Sequence, residues 1–310
     1  MITYYKNTEN GLERLDEAIN NCWINVVNPT ANEIDMLRRM GLPADFITYP
    51  LDVDERPRSE REDDGTLLIL IRIPYFQGVK VDVPYSTIPL AMIITERYIV
   101  TVCRYENDII NEIASGRMRG LSTAKRNRFV LRVLLATAAR YLACLREINR
   151  VTEGLEDQLQ ASMKNKEVLE LLKYQKSLVY FTTALKSNEL MMERLQRSQF
   201  FHMYPDDEDL LEDVITENQQ AIEMVNISNN ILSSMMDAFA SIISNNLNVV
   251  MKFLASVTIV MSIPTIVTSF FGMNVALPFA ERAYAYLIVI AIFVIISIIV
   301  VFIFMRRDWF

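Results

Sequence analysis

Twelve positions in the C-terminal third of the chain share both a spacing and a chemistry. At alternating steps of four and three, Asn230, Ser234, Asp237, Ser241, Ser244, Asn248, Met251, Ala255, Thr258, Ser262, Thr265 and Ser269 fall on one line of a helix. A coiled coil would place Leu or Ile on that line. Here nearly every position is small or polar, while Ile, Leu, Val, Phe and Met flank it. Two explanations fit. Small and hydroxyl side chains let helices approach closely, and Ser or Thr can bond their own backbone. Alternatively, the line faces water along the axis of an oligomer and makes a pore. Asp237 favours the pore, because a carboxylate on a dry seam would meet its own copies without compensation. Leu254 and Met251 would let such a pore close by dewetting.

Just beyond the line stands Gly272-Met273-Asn274. Glycine permits a sharp change of backbone direction at a helix end. A side-chain amide repeated around an oligomer forms a ring of neutral carbonyl dipoles. Such a ring suits the water shell of an ion that dehydrates reluctantly, as Mg²⁺ does. Neutral oxygens also hold an ion weakly enough for it to leave again.

The elements around these residues follow from where charge, proline and glycine fall. The 310 residues are 51% hydrophobic and 22% charged, so a charged part and a greasy part are expected to be separate. Neither 253–271 nor 284–305 contains an Asp, Glu, Lys, Arg or His. Each is close to the roughly 20 residues a helix needs to cross a bilayer. No apolar core opens the chain as a signal peptide would, so a cytoplasmic N-terminal part is expected. Arg306, Arg307 and Trp309 in the tail agree with a cytoplasmic C-terminus.

Seven of ten prolines precede residue 90, and no glycine lies between Gly154 and Gly272. A turn-rich region therefore gives way to long helices. Segments 23–27, 67–73, 90–94 and 98–102 read as strands. Thr30-Ala-Asn-Glu33 reads as a capping box that starts a helix through Met40. Helices are expected over 122–150 and 153–199. Pro205 followed by four acids starts another, with no breaker before Pro264.

The predicted organisation is an α+β membrane protein with an N-terminal α/β/α domain. Its parts are an α/β domain at 1–120, helices at 121–204 and a stalk helix at 205–248. A pore-lining span at 249–271, an outer loop at 272–283, a second span at 284–305 and a basic tail at 306–310 follow.

Several function classes are disfavoured. Cys22, Cys103 and Cys144 lack metal-type spacing, and His202 is the only histidine, so neither a His-built zinc site nor Ser-His-Asp catalysis is expected. A net charge of −7 and no basic stripe argue against nucleic acid and for cations. No phosphate-binding Gly-x-x-x-x-Gly-Lys-(Ser/Thr) segment is present.

Two C-terminal spans, Gly-Met-Asn closing the first, a short outer loop, a basic tail and a long preceding helix resemble the CorA family of divalent metal channels. Asp52-Val-Asp-Glu-Arg-Pro-Arg-Ser-Glu60 is similar to the family's Arg-Pro-(Lys/Arg)-x-Glu segment, and Ser244-Asn-Asn-Leu-Asn-Val-Val-Met251 to its membrane entry. The resemblance implies a funnel-shaped homopentamer in the cell membrane, in contact with lipid, whose first span lines the pore. It implies Mg²⁺ as substrate and regulatory ligand, no prosthetic group, and no enzymatic activity. It places Asn274 at the outer mouth, Thr265, Met251 and Asn248 along the pore, and Asp237 in the vestibule. Asp213 falls where an inhibitory ion binds between subunits, with Asp82 as a trial partner. The outer loop keeps a single glutamate, Glu281, which leaves Co²⁺, Ni²⁺ or a ZntB-like preference for Zn²⁺ as alternatives. A membrane-anchored scaffold is the rival from another class; it would have no use for the polar line.

Overall fold

The run Leu-Leu-Ile-Leu-Ile-Arg-Ile at 67–73 is apolar without alternation, which suits a strand covered on both faces. A computed structural model describes residues 1–8, 11–116, 118, 120–162, 165–197, 205–273, 284–307 and 309, and in it this run is buried on both sides. The chain divides into two units, Met1–Met235 and Met236–Phe310.

In the first unit the strands are β1 (Ile2–Thr8), β2 (Gly11–Leu15), β3 (Cys22–Val27), β4 (Arg58–Arg61), β5 (Leu67–Phe76), β6 (Tyr85–Ile94) and β7 (Tyr98–Cys103). They form one sheet in the order β2-β1-β3-β7-β6-β5-β4, with only β3 and β7 parallel. The helices are α1 (Ala31–Arg39), α2 (Ala44–Thr48), α3 (Asp108–Ala114), α4 (Arg126–Ser162), α5 (Asn165–Arg197) and α6 (Pro205–Phe271); α6 continues into the second unit, which also holds α7 (Ala285–Arg306).

The pleat sends Leu68 and Leu70 to one face, against Leu37 of α1 and Phe46 and Ile47 of α2. It sends Ile69, Ile71 and Ile73 to the other, against α3, α4, α5 and the start of α6. The unit is thus a three-layer α/β/α sandwich. Thr30 caps α1 with both bonds of the capping box, and Met40 closes it. Of the seven strands, β1, β2 and β4 carry no sequence signal as strong as the others. They lie toward the sheet's edges and are mostly exposed or half-buried, so their residues are polar.

Two departures from the sequence reading have physical reasons. The expected break between two helices near residue 152 is absent: α4 runs through Gly154 and on to Ser162. Gly154 has no positive φ, so it costs the helix propensity but does not end it. At the start of α6, Asp207 is more than a dipole partner. It is buried, 1% exposed, and its Oδ1 accepts from Arg128 Nε of α4 at 2.6 Å.

One buried residue ties the layers together. β4 ends opposite Leu70, leaving the Arg72 amide and carbonyl with no strand beside them. Asn188 of α5 fills the gap: its Oδ1 accepts from Arg72 N at 2.9 Å, and its Nδ2 donates to Arg72 O at 2.8 Å. The Tyr141 hydroxyl of α4 donates to the same carbonyl at 3.0 Å. The Arg72 guanidinium donates to the carbonyls of Val53, Glu55 and Thr87. Burial lowers its pKa from the usual arginine range. Replacing Asn188 with Leu strands the Arg72 amide and leaves its carbonyl to the Tyr141 hydroxyl alone, and is expected to cost about 1–3 kcal/mol. Thermal unfolding of the detergent-solubilised full chain checks this.

Candidate functional site

Every residue of the polar line from Asn230 to Ser269 lies on α6, the sole element that carries it. In the single chain all twelve are exposed except Ser262, which is half-buried. Within the second unit a different line of the same helix is covered. Ser256 is 0% and Ile263 7% exposed, and Val260 and Val267 are half-buried. At about 100° per residue this covered stripe lies roughly 160° around the helix from Thr258, Ser262, Thr265 and Ser269. The chain therefore covers the back of the span most fully at Ser256 and Ile263 and leaves Thr258, Thr265 and Ser269 of the polar front exposed.

Hydroxyl geometry refines what that front offers. Thr258 Oγ1 donates to Leu254 O at 2.8 Å, and Ser262 Oγ donates to Thr258 O at 2.7 Å. The protons point into the helix, so each oxygen presents lone pairs outward. Outward lone pairs at these two positions suit a hydrated cation. Ser256 on the covered stripe makes the same kind of bond, to Phe253 O at 2.8 Å, so self-bonding alone does not separate a wet face from a packed one.

Helix continuity through Pro264 also has a local basis. Proline cannot donate to the carbonyl of Val260, and that carbonyl belongs to the covered stripe, away from the polar front. Thr268 Oγ1 donates to Pro264 O at 2.8 Å.

Gly272 stands just past the last residue of α6. It is not among the glycines with positive φ. A Cβ built there would stand 3.2 Å from Thr268 O and 3.7 Å from Ser269 O. Gly272 N donates to Thr268 O at 2.9 Å and Met273 N to Phe270 O at 3.4 Å, which tightens the last turn. Asn274 lies outside the described residues, as does His202.

Asp237 is exposed on α6, and Asp213 is exposed nearer the helix start. Asp82 is ion-paired with Lys176 Nζ at 2.7 Å. Among the described residues no group of three or more His, Cys, Asp or Glu could hold a metal within one chain. The Arg-Pro segment has a structural role visible here. Arg58 sits between the carboxylates of Glu55 and Glu60, over the Tyr49 ring at 4.4 Å from its centre. The three cysteines are buried and free. Burial pushes the thiols of Cys103 and Cys144 up to about 11.

Helices α6 and α7 include stretches long and apolar enough to cross a membrane, with mean hydropathy of 1.9 and 3.7. Comparison with known proteins bears on what such a chain does. The family described as "CorA-like Mg2+ transporter protein" matches residues 20–307. The cobalt/magnesium transport protein CorA of Methanocaldococcus jannaschii is 29% identical over 298 residues, covering 93% of this chain and 90% of that protein. The protein of the same name from Thermotoga maritima is 24% identical over 308 residues, covering 93% and 83%. The complete structure of the CorA magnesium transporter from Methanocaldococcus jannaschii superposes with a TM-score of 0.86 at 26% identity, covering 100% of this chain and 99% of that one.

Proposed function

The chain belongs to the family of CorA-like Mg²⁺ transporter proteins, and on that premise we propose that it conducts Mg²⁺ passively into the cell through a pore lined by α6. The observation that carries the pathway is the bare polar line: acceptor oxygens face outward on one side of the span while the chain covers the opposite side. Several copies arranged with these lines inward, a homopentamer by family resemblance, would enclose a wet axis. Both termini then lie in the cytoplasm, with the second span on the outside of the ring.

In this reading Asn274 and its copies hold hydrated Mg²⁺ at the outer mouth. The ion passes Ser269, Thr265, Ser262, Thr258 and Ala255, then Met251 and Asn248, and reaches a vestibule at Ser244, Ser241 and Asp237. Leu254 and Met251 supply the apolar constriction. The membrane potential drives entry: a divalent ion gains roughly 4.6 kcal/mol per 100 mV, so no nucleotide is required. Intracellular Mg²⁺ closes the pore by bridging carboxylates of adjacent subunits, with Asp213 as one candidate. No step of this scheme makes or breaks a covalent bond, so the protein acts as a transporter and not as an enzyme.

Uptake of Mg²⁺, Co²⁺, Ni²⁺ and Zn²⁺ into liposomes holding the purified chain, with and without a proton gradient, tests the reading. Mg²⁺ uptake independent of the proton gradient is expected. Uptake of Zn²⁺ alone, or only with the gradient, would replace Mg²⁺ by the zinc alternative. Asn274→Ala is expected to lower Mg²⁺ flux several-fold while the oligomer survives. An assembled variant that conducts at the full rate would remove the amide ring from the scheme.

A further inference from the structure

Arg306 ends α7, and its guanidinium lies 5.2 Å from the centre of the Phe302 ring, one turn back toward the apolar run. A cation at the end of a span ordinarily reaches outward to water. Here it lies over the ring face of Phe302, one turn back, and remains exposed. Ile295, Ile299 and Phe302 precede Arg306 on the same face at steps of four and three, and are 57%, 52% and 57% exposed. Phe293, Ser297, Val300 and Phe304, on the opposite face, are half-buried. Trp309 belongs to that covered side, stacked on Phe304 with ring centres 5.0 Å apart and planes 7° from parallel. The uncovered side is therefore an apolar strip that ends in a cation. Among the described residues no carboxylate pairs with Arg306; Asp308 lies outside them.

We propose that this strip binds one phospholipid per chain, its acyl chain along Ile295, Ile299 and Phe302 and its phosphate on Arg306, with a preference for an anionic headgroup. The planar fork of arginine matches a phosphate bidentately, which an ammonium does not. An exposed guanidinium over the Phe302 ring, with no carboxylate on it among the described residues, is open to an anion at the end of the span. A lipid phosphate stays there because its own chain covers the strip; free phosphate has no such reason to stay. The site requires only that α7 lie in a bilayer, so it stands or falls separately from the route of the ion.

Native mass spectrometry of the full chain, incubated with phosphatidylglycerol or phosphatidylcholine, tests the site. The unaltered chain is expected to retain phosphatidylglycerol in preference. Removal of the charge in Arg306→Gln weakens that retention on the order of fivefold, and Arg306→Lys falls between. Arg38→Gln, an exposed arginine of α1, leaves it unchanged. Millimolar inorganic phosphate does not displace the lipid. Equal retention by the unaltered chain and Arg306→Gln, at the same oligomeric state, would overturn the proposal, as would displacement by inorganic phosphate. Should Arg306→Gln not assemble, Phe302→Leu keeps the cation and removes the ring beneath it. Reduced preference is then expected, and undiminished preference overturns the site.

Discussion

Replacing Thr258 with phenylalanine is expected to cut Mg²⁺ flux by at least about tenfold, while Val257→Phe leaves it within about twofold. The two residues are neighbours in sequence, and both are exposed on α6 in the single chain. What separates them is about 100° of rotation around the helix. Thr258 lies on the polar line with its hydroxyl proton turned inward to Leu254 O. A ring there, repeated in each copy, would fill the axis and replace acceptor oxygens by hydrocarbon. Val257 lies off the line, where an aromatic group meets a neighbouring helix or lipid. Flux into liposomes from equal amounts of assembled protein decides the matter. Equal losses for the two variants would mean that rotation does not matter and the line is not the pathway. No loss for either would favour the scaffold, for which the hairpin is only an anchor.

Much of the fold is legible in the sequence alone. The capping box at Thr30, the start of α6 at Pro205 and its end at Phe271 are local signals, and local signals survive folding. The four strands predicted are those with β-branched, apolar sequences, three of them deep in the sheet. What was hidden depends on tertiary context. Nothing in the sequence of β4, Arg-Ser-Glu-Arg, announces a strand; pairing with β5 supplies it. Asn188 looks like any polar residue of a helix until β4 is seen to stop short of Arg72. Asp207 reads as one of four acids at a helix start, and only Arg128, 79 residues away, makes it a buried ion pair. For the candidate pathway, periodicity revealed the line, but not that the chain covers the opposite side of the helix. Gly272 reads in the sequence as the place where the backbone turns at the helix end, whereas the close approach of Thr268 O exists only once the helix is built.

A thiol scan of the span tests the central claim most directly. Single cysteines at 258, 262, 265 and 269 on the polar line, and at 256, 260, 263 and 267 on the covered stripe, are exposed in turn to a membrane-impermeant thiol reagent, in proteoliposomes with Mg²⁺ chelated. The native thiols contribute little background, because Cys22, Cys103 and Cys144 are buried and burial raises all three pKa values. A thiol in a dry setting whose pKa rises by about two units loses roughly a hundredfold of its reactive thiolate. The account predicts fast modification at all four positions of the line, slower by about that factor on the stripe, with Mg²⁺ protecting the line. Reaction that is fastest at 256 and 263, or uniformly slow at all eight positions, would mean that the hydrophilic side of this helix never meets water, and would contradict a pore built from it.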